Sequence, residues 1–289
     1  MIHGFLNIDK PAGMTSHDVV AKVRRLAGQK RVGHGGTLDP AATGVLPIAL
    51  GEATRLVEYL VDGRKRYVAE VRLGITTTTE DAEGEIVEER PVPALNPEDL
   101  ARAVQPFVGT IQQVPPMYSA IQVAGQRLYD LARQGQTIEL EPRTVEIDRI
   151  EVLDWQPPIV TLDVVCGKGT YIRSLARDLG ATLGCGAHLA ALRRTQVGPL
   201  GIDSAVPLTT LLDDPSLLEQ HMLTPDTAVA DWPRADVDEA TVRRIRNGLA
   251  VRLPVSGELA RAHAPDGHLV ALLRFDSGLW QPFKVFTWR

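Results

Sequence analysis

Residues 66–73, RYVAEVRL, alternate without a break: Tyr67, Ala69, Val71 and Leu73 fall on one side of an extended chain, Arg66, Val68, Glu70 and Arg72 on the other. A period of two would scatter these apolar residues around a helix, so the run predicts a strand with one face on a core and one in water. Neighbouring segments take their places around it. Gly4 to Ile8 reads as a strand, KPAGMTS as a Pro/Gly turn, and the next stretch as a helix, with Thr15 and Asp18 spaced as a capping box and Val19, Val23, Leu26 and Ala27 on one face. Val45 to Leu50 is a compact apolar strand, and Glu52 to Leu60 a helix. Helices are further expected from Pro97 to Phe107 and around Arg127 to Arg133, and strands at Val145 to Leu153 and Ile159 to Cys166. Thr170 is placed to cap a helix whose Ile172, Leu175, Ala176 and Leu179 form one stripe.

A chain of 289 residues suffices for one large domain with a small appendage. Prolines and short leucine-rich stretches from Pro207 to Pro233 suggest a helical connector, with a boundary near Asp231. Beyond it, short alternating runs and the turn pairs Asp266-Gly267 and Ser277-Gly278 predict a small β-rich module. No stretch approaches a membrane span. The N-terminal apolar run is interrupted by Asp9 and Lys10, unlike an export signal. Cys166 and Cys185 form no CxxC, which fits a reducing cytoplasm, and a monomer is the default expectation. The net charge of −5 is unevenly spread. Residues 80–99 hold eight acids against Arg90, which leaves the rest of the chain slightly basic and open to a polyanionic partner.

Two stretches can carry chemistry. In GHGGTLDPAATG, Gly33 to Gly44, glycines permit positive φ and close approach, while Pro40 confines Asp39 to extended conformations. Taken alone, an Asp before Pro in such a loop is more often a turn or cap residue. In VVCGKGTYIRSL, Val164 to Leu175, a strand runs through Gly-Lys-Gly-Thr into a helix, resembling a phosphate cradle. Arg173 lies in that helix's first turn, where the dipole disfavours a cation, so an acidic partner or plain solvation must compensate. Tyr67 and Tyr171 suit either base stacking or core packing. Walker A, GxGxxG, HxxxH and HExxH patterns are absent from the sequence, so no metal and no small-molecule cofactor is expected.

Taken in order, KPAGMTSHDVV, RVGHGGTLDPAATGVLPIALGEATR, KRYVAEVRLG, VPPMYSA with GQRLYDLARQG, GKGTYIRSLARDLG and LGCGAHLAALRRTQVG resemble the TruB family, the tRNA pseudouridine-55 synthases, across most of residues 2–200. The tail from Trp232 more loosely resembles a PUA-type RNA-binding domain. The resemblance implies an α+β fold: a pseudouridine-synthase domain over 1–230, on a mixed, largely antiparallel sheet flanked by helices, and a PUA-like domain over 231–289. An RNA-contacting insertion would occupy roughly 117–143. It makes Asp39 the catalytic aspartate, Tyr67 the tyrosine stacking on the target base, and Tyr171 a pocket tyrosine. Arg173 becomes the arginine paired with the carboxylate, Leu192 an apolar wall, and His34 a holder of the flipped nucleotide; Lys10 and Pro11 give structural support.

The implied activity is isomerisation of a uridine in the T-arm of tRNA, at position 55, by base flipping, glycosidic cleavage, base rotation and C5–C1′ bonding. It needs no cofactor. Arg173 is expected to favour the ionised Asp39. Arg24, Arg25, Lys30, Arg31, Arg127, Arg133, Arg193 and Arg194 are expected to grip the RNA. Two rivals are a non-catalytic tRNA-binding or folding protein, which needs the basic clusters but not Asp39, and a nucleotide-dependent transferase using CGKGT.

Overall fold

The computed structural model describes residues 1–119, the strand backbone at 122–123 and 126–127, residue 138, and 140–288. In chain order the strands of the larger body are β1 (Gly4–Lys10), β2 (Val32–His34), β3 (Thr43–Leu50), β4 (Lys65–Leu73), β5 (Ile75–Thr77), β6 (Ile86–Glu89), β7 (Gly109–Gln113), β8 (Gln122–Val123), β9 (Gln126–Arg127), β10 (Arg143–Gln156), β11 (Ile159–Cys166), β12 (Ala187–Val197), β13 (Leu200–Gly201), β14 (Val206–Pro207) and β15 (Met222–Leu223). Its helices are α1 (Ser16–Leu26), α2 (Val57–Asp62), α3 (Pro97–Val104), α4 (Ile172–Thr182) and α5 (Leu208–Asp213).

An eleven-stranded sheet runs in the order β14-β1-β3-β12-β4-β11-β10-β7, with β2, β13 and β15 paired to its members. Only β1–β14 and β3–β12 are parallel, so the sheet is mixed and largely antiparallel, as expected. The alternation on β4 is realised: Tyr67, Ala69, Val71 and Leu73 are buried, whereas Arg66, Glu70 and Arg72 are exposed. Strand β3 is covered on both faces, which explains its unbroken apolar run. Leu46, Ile48 and Leu50 join the main core with α1, α3 and α4, while Val45 and Ala49 face a second core shared with the C-terminal region.

The capping box of α1 forms, with Thr15 and Asp18 exchanging both bonds. Other details depart from expectation. Residues 51–62 form a 3₁₀ turn (Gly51–Leu56) leading into α2, and α3 tightens to 3₁₀ at Gln105–Phe107, where Pro106 lacks an N–H. Thr170 does not cap α4; its hydroxyl donates to the carbonyl of Gly167. Strand β12, a central member, has no counterpart in the sequence reading, because register shifts after Leu189 and after Arg194 break its alternation. Arg127 lies on β9, not in a helix, and the rest of the helix expected up to Arg133 falls outside the described residues.

The C-terminal region builds a four-stranded sheet from β16 (Arg234–Asp236), β17 (Leu259–His263), β18 (Leu269–Asp276) and β19 (Leu279–Val285). Gly267 and Gly278 take positive φ in its two turns, as the Asp-Gly and Ser-Gly pairs predict. A helix the sequence reading left out, α6 (Glu239–Arg246), covers one face, capped by Asp238. Phe286 is fully buried against Phe5, Val45 and Leu56 of the larger body. Among the described residues no helix is long and apolar enough to cross a membrane.

Candidate active site

Three segments converge beside β3, β4 and β12: the glycine-rich loop between β2 and β3, the start of α4, and the turn joining β5 to β6. The first is held from below by the KPAGMTS turn. Lys10 is fully buried and donates from Nζ to the carbonyls of Pro11 (2.9 Å), Met14 (2.6 Å) and Pro40 (3.1 Å). Burial lowers its amine to about 8, partly offset by the negative charge of Asp39. The Gly13 N–H also donates to the Pro40 carbonyl, and the Ser16 hydroxyl both accepts from the Leu38 N–H (2.8 Å) and donates to the Leu38 carbonyl. Residues 38–40 therefore have little freedom.

On this support Asp39 meets Arg173: Nε lies 3.1 Å from Oδ2. The guanidinium is 6% exposed, and its other nitrogens donate to the carbonyls of Thr79 (3.2 Å) and Tyr118 (2.8 Å). A second carboxylate, Asp81, stands 3.6 Å from Nη1. The cation at the start of α4 is thus answered by two acids and two carbonyls, which offsets its unfavourable place on the helix dipole. Arg173 alone does not set the charge on Asp39. The carboxyl pKa is raised, because burial outweighs the pull of Arg173 and Lys10 and Asp81 pushes the same way as burial. Arg173 favours the ionised form, as the sequence predicts, but burial sets the net direction.

The remaining members surround this pair. Tyr67 is buried on β4, opposite Val164 and Arg194, and burial raises its phenol, with the charge of Asp39 adding to the shift. Tyr171 precedes α4, half-buried; burial raises this phenol too, with Arg173 pulling it down and Asp39 pushing it up. Its main chain is clasped by Gln113, which accepts from the Tyr171 N–H (2.8 Å) and donates to its carbonyl (3.1 Å). Leu192, half-buried opposite Ala69, packs against the main core. His34 ends β2 edge-on to His17, with ring centroids 5.3 Å apart. Burial, His17 and Arg194 all lower its pKa, and its buried Nδ1 has no hydrogen-bond partner among the described residues.

A carboxylate–guanidinium pair whose arginine is buried and whose aspartate side chain is 42% exposed, flanked by two phenols and an apolar side chain, can present a negative oxygen to a planar ring and hold that ring in place. Comparison with known proteins identifies the lineage. Residues 24–172 match the model of the TruB family pseudouridylate synthase N-terminal domain. The chain belongs to the TruB family. Residues 173–230 match the tRNA pseudouridylate synthase B C-terminal domain, and 232–287 the tRNA pseudouridine synthase II C-terminal domain. Among curated relatives, tRNA pseudouridine synthase B of Dehalococcoides mccartyi is 44% identical, with 99% of this chain and 97% of the relative covered. The proteins of that name from a Mycobacterium species and from Pseudomonas aeruginosa are 49% and 48% identical, covering 93% and 88% of this chain and 91% and 84% of theirs. A Cbf5-Nop10-Gar1 complex contains a chain similar at TM-score 0.76 and 29% identity, with 99% of this chain and 85% of that one covered. An H/ACA RNP bound to a substrate RNA containing 2'-deoxyuridine holds another at TM-score 0.75 and 27% identity, with the same coverage.

The basic residues expected on RNA divide in this TruB-family chain. Arg25 and Lys30 are exposed, and no ion pair involves them among the described residues. Arg24 is exposed and donates to the carbonyls of Lys30 and Val32, Arg31 pairs with Glu52, and Arg193 pairs with Asp9 at 2.7 Å. Arg127 is described in its backbone only, and Arg133 lies outside the described residues. Arg194 corrects the expectation: it is 1% exposed and bonds to three main-chain carbonyls, so it cannot reach a phosphate. The sequence reading missed Asp81, one acid among eight with nothing local to distinguish it, and Gln113, whose role exists only once β7 meets α4. No group of three or more His, Cys, Asp or Glu among the described residues could hold a metal ion.

Proposed function

We propose that this chain isomerises the uridine at position 55 in the T-arm of tRNA to pseudouridine, with Asp39 as the acting carboxylate. The observation that carries the reading is the ion pair between Asp39 and Arg173, in a chain whose family model is that of pseudouridylate synthases and whose curated relatives are named for tRNA. The uridine leaves the stack, at a cost of roughly a few kcal/mol. Stacking on Tyr67 offsets roughly 1–3 kcal/mol of that, and phosphate contacts supply the rest. The N1–C1′ bond then breaks, the uracil turns between Tyr67, Tyr171 and Leu192, C5 bonds to C1′, and the proton lost from C5 is balanced by one gained at N1. Attack at C1′, attack on the ring and removal of a ribose proton all require Asp39 ionised, so the pocket must open its carboxylate to substrate while keeping Arg173 beside it.

Residues 1–230 act as the synthase domain and 231–289 as a PUA-like RNA-binding domain. His34 steadies the flipped nucleotide, Lys10 and Pro11 support the loop, and Arg24, Arg25, Lys30, Arg31 and Arg193 contact the T-arm backbone, with Arg127 and Arg133 from the insertion. The protein works as a cytoplasmic monomer without a cofactor. Asp39→Asn tests the reading. A T-arm transcript should bind with unchanged affinity and yield no carbodiimide-reactive product, and appreciable product from clean mutant protein would end the assignment. Binding without conversion by the wild-type protein would favour a non-catalytic tRNA-binding role.

A further inference from the structure

We infer that Arg194 is a positioning residue for the reaction: its guanidinium ties together both limbs of the loop that carries Asp39 and so fixes where the carboxylate stands. The inference rests on the reading of Asp39 as the acting group. Arg194 is among the largest fully buried side chains of the protein. Its Nε donates to the Val45 carbonyl (2.8 Å), its Nη2 to the Gly36 carbonyl (3.0 Å) and its Nη1 to the Thr37 carbonyl (3.4 Å). Two of these acceptors precede Asp39 and one follows it. No carboxylate pairs with this guanidinium among the described residues.

A cation buried without a counter-ion stabilises a fold poorly, and an apolar side chain of similar volume would serve the core at least as well. What a hydrocarbon cannot do is hold three carbonyls in fixed relative directions. The planar fork does so from three separate nitrogens, whereas a lysine places its donors on one atom, as Lys10 does for carbonyls gathered around a single point, and cannot take over acceptors spaced along the fork. Two glycines shape the backbone around this arginine. Gly36 has φ +109°, and a Cβ there would stand 3.5 Å from Nη1; at Gly44, φ +100°, a Cβ would collide with the Arg194 carbonyl at 2.1 Å. The preceding residue, Arg193, faces outward to Asp9, so β12 sends one arginine to the surface and the next beneath the loop. Lys10 grips the Pro40 carbonyl of the same loop, so Asp39 is held from both flanks by buried cations that touch only main chain.

The test compares Arg194→Lys, Gly36→Ala and Asp39→Asn with the wild-type chain, measuring single-turnover conversion of a T-arm transcript, its Kd, and thermal unfolding. Arg194→Lys should remain folded and bind RNA within about twofold of wild type, while its single-turnover rate falls about 10- to 100-fold, the loss expected when a reacting group is misplaced by about 1 Å. The loss should persist well below the unfolding temperature, where a merely structural defect would vanish. Wild-type turnover by Arg194→Lys would overturn the inference, as would a rate loss matched by an equal loss of RNA affinity. If the lysine variant does not fold, Gly36→Ala, which displaces one acceptor from the fork at a partly exposed position, should lower the rate with Kd unchanged; full activity there would also overturn it. Asp39→Asn separates the two readings. If it is inactive while Arg194→Lys turns over normally, only the role of Arg194 fails; if it is active, the assignment of Asp39 fails and the positioning role with it.

Discussion

Arg173 Nε stands 3.1 Å from Oδ2 of Asp39, joining the start of a helix to a loop far away in the chain. The same guanidinium is shared with Asp81, so Asp39 receives only part of its field while its carboxyl is pressed by burial. The consequence is an acid held above its ordinary range in the cleft that the proposed reaction would use through an ionised oxygen.

The acidic limb of the pH–rate profile should follow that shift. If Asp39 is the acting carboxylate, conversion needs it ionised, and because its pKa is raised above 3.8, single-turnover rates should fall with acidification at a higher pH than an ordinary aspartate would give. A limb at or below 3.8 in rates measured on folded protein would contradict it.

Stability carries the opposite sign. With its folded pKa above the unfolded one, Asp39 favours the native state fully only below pH 3.8, and that contribution is lost as pH rises through the folded value. Asp39→Asn should therefore melt at a higher temperature than wild type at pH 7, and the gap should close toward pH 3.5. Differential scanning calorimetry at the two pH values decides it, and a less stable variant at pH 7 would refute the burial argument.

Asp81→Asn removes a charge that raises the Asp39 pKa. The acid limb should move to lower pH, while T-arm affinity stays within about twofold, because the side chain is only 15% exposed and faces Arg173. An unmoved limb would show that Asp81 does not act on Asp39.

Arg25 and Lys30 are exposed, whereas Arg194 is buried on carbonyls. Alanine at either exposed position should weaken T-arm binding and reduce the slope of log Kd against log salt by roughly 0.7–0.9. Arg194→Lys should leave that slope unchanged. Filter binding across a salt series distinguishes the two groups, and an unchanged slope for both exposed positions would remove them from the phosphate contacts.

Phe286 locks the C-terminal region onto the larger body: it is fully buried, stacks on Trp288 at 5.1 Å and lies under the Arg55 guanidinium at 4.9 Å. Phe286→Ala should cost about 3–5 kcal/mol by cavity formation and lost burial. Urea unfolding measures it, and a change below about 1 kcal/mol would mean the region is held by its polar contacts instead.

Much was legible in the sequence where the governing forces are local. Alternation announced β4, the Thr15–Asp18 spacing announced the cap of α1, turn pairs announced the C-terminal hairpins, and a distinctive string of motifs pointed to Asp39, Tyr67, Tyr171 and Arg173. Strand β12 was hidden because its bulges spoil the period of two, and α6 because a short helix inside a run of strands leaves little trace. Only the tertiary structure decided that Arg193 faces out and Arg194 in, that Asp81 shares Arg173 with Asp39, and that burial, more than the arginine, sets the carboxyl. Periodicity and turn chemistry act between near neighbours and are written in order along the chain. Burial and charge pairing depend on what arrives from elsewhere, and two adjacent arginines look alike until the sheet gives each a face.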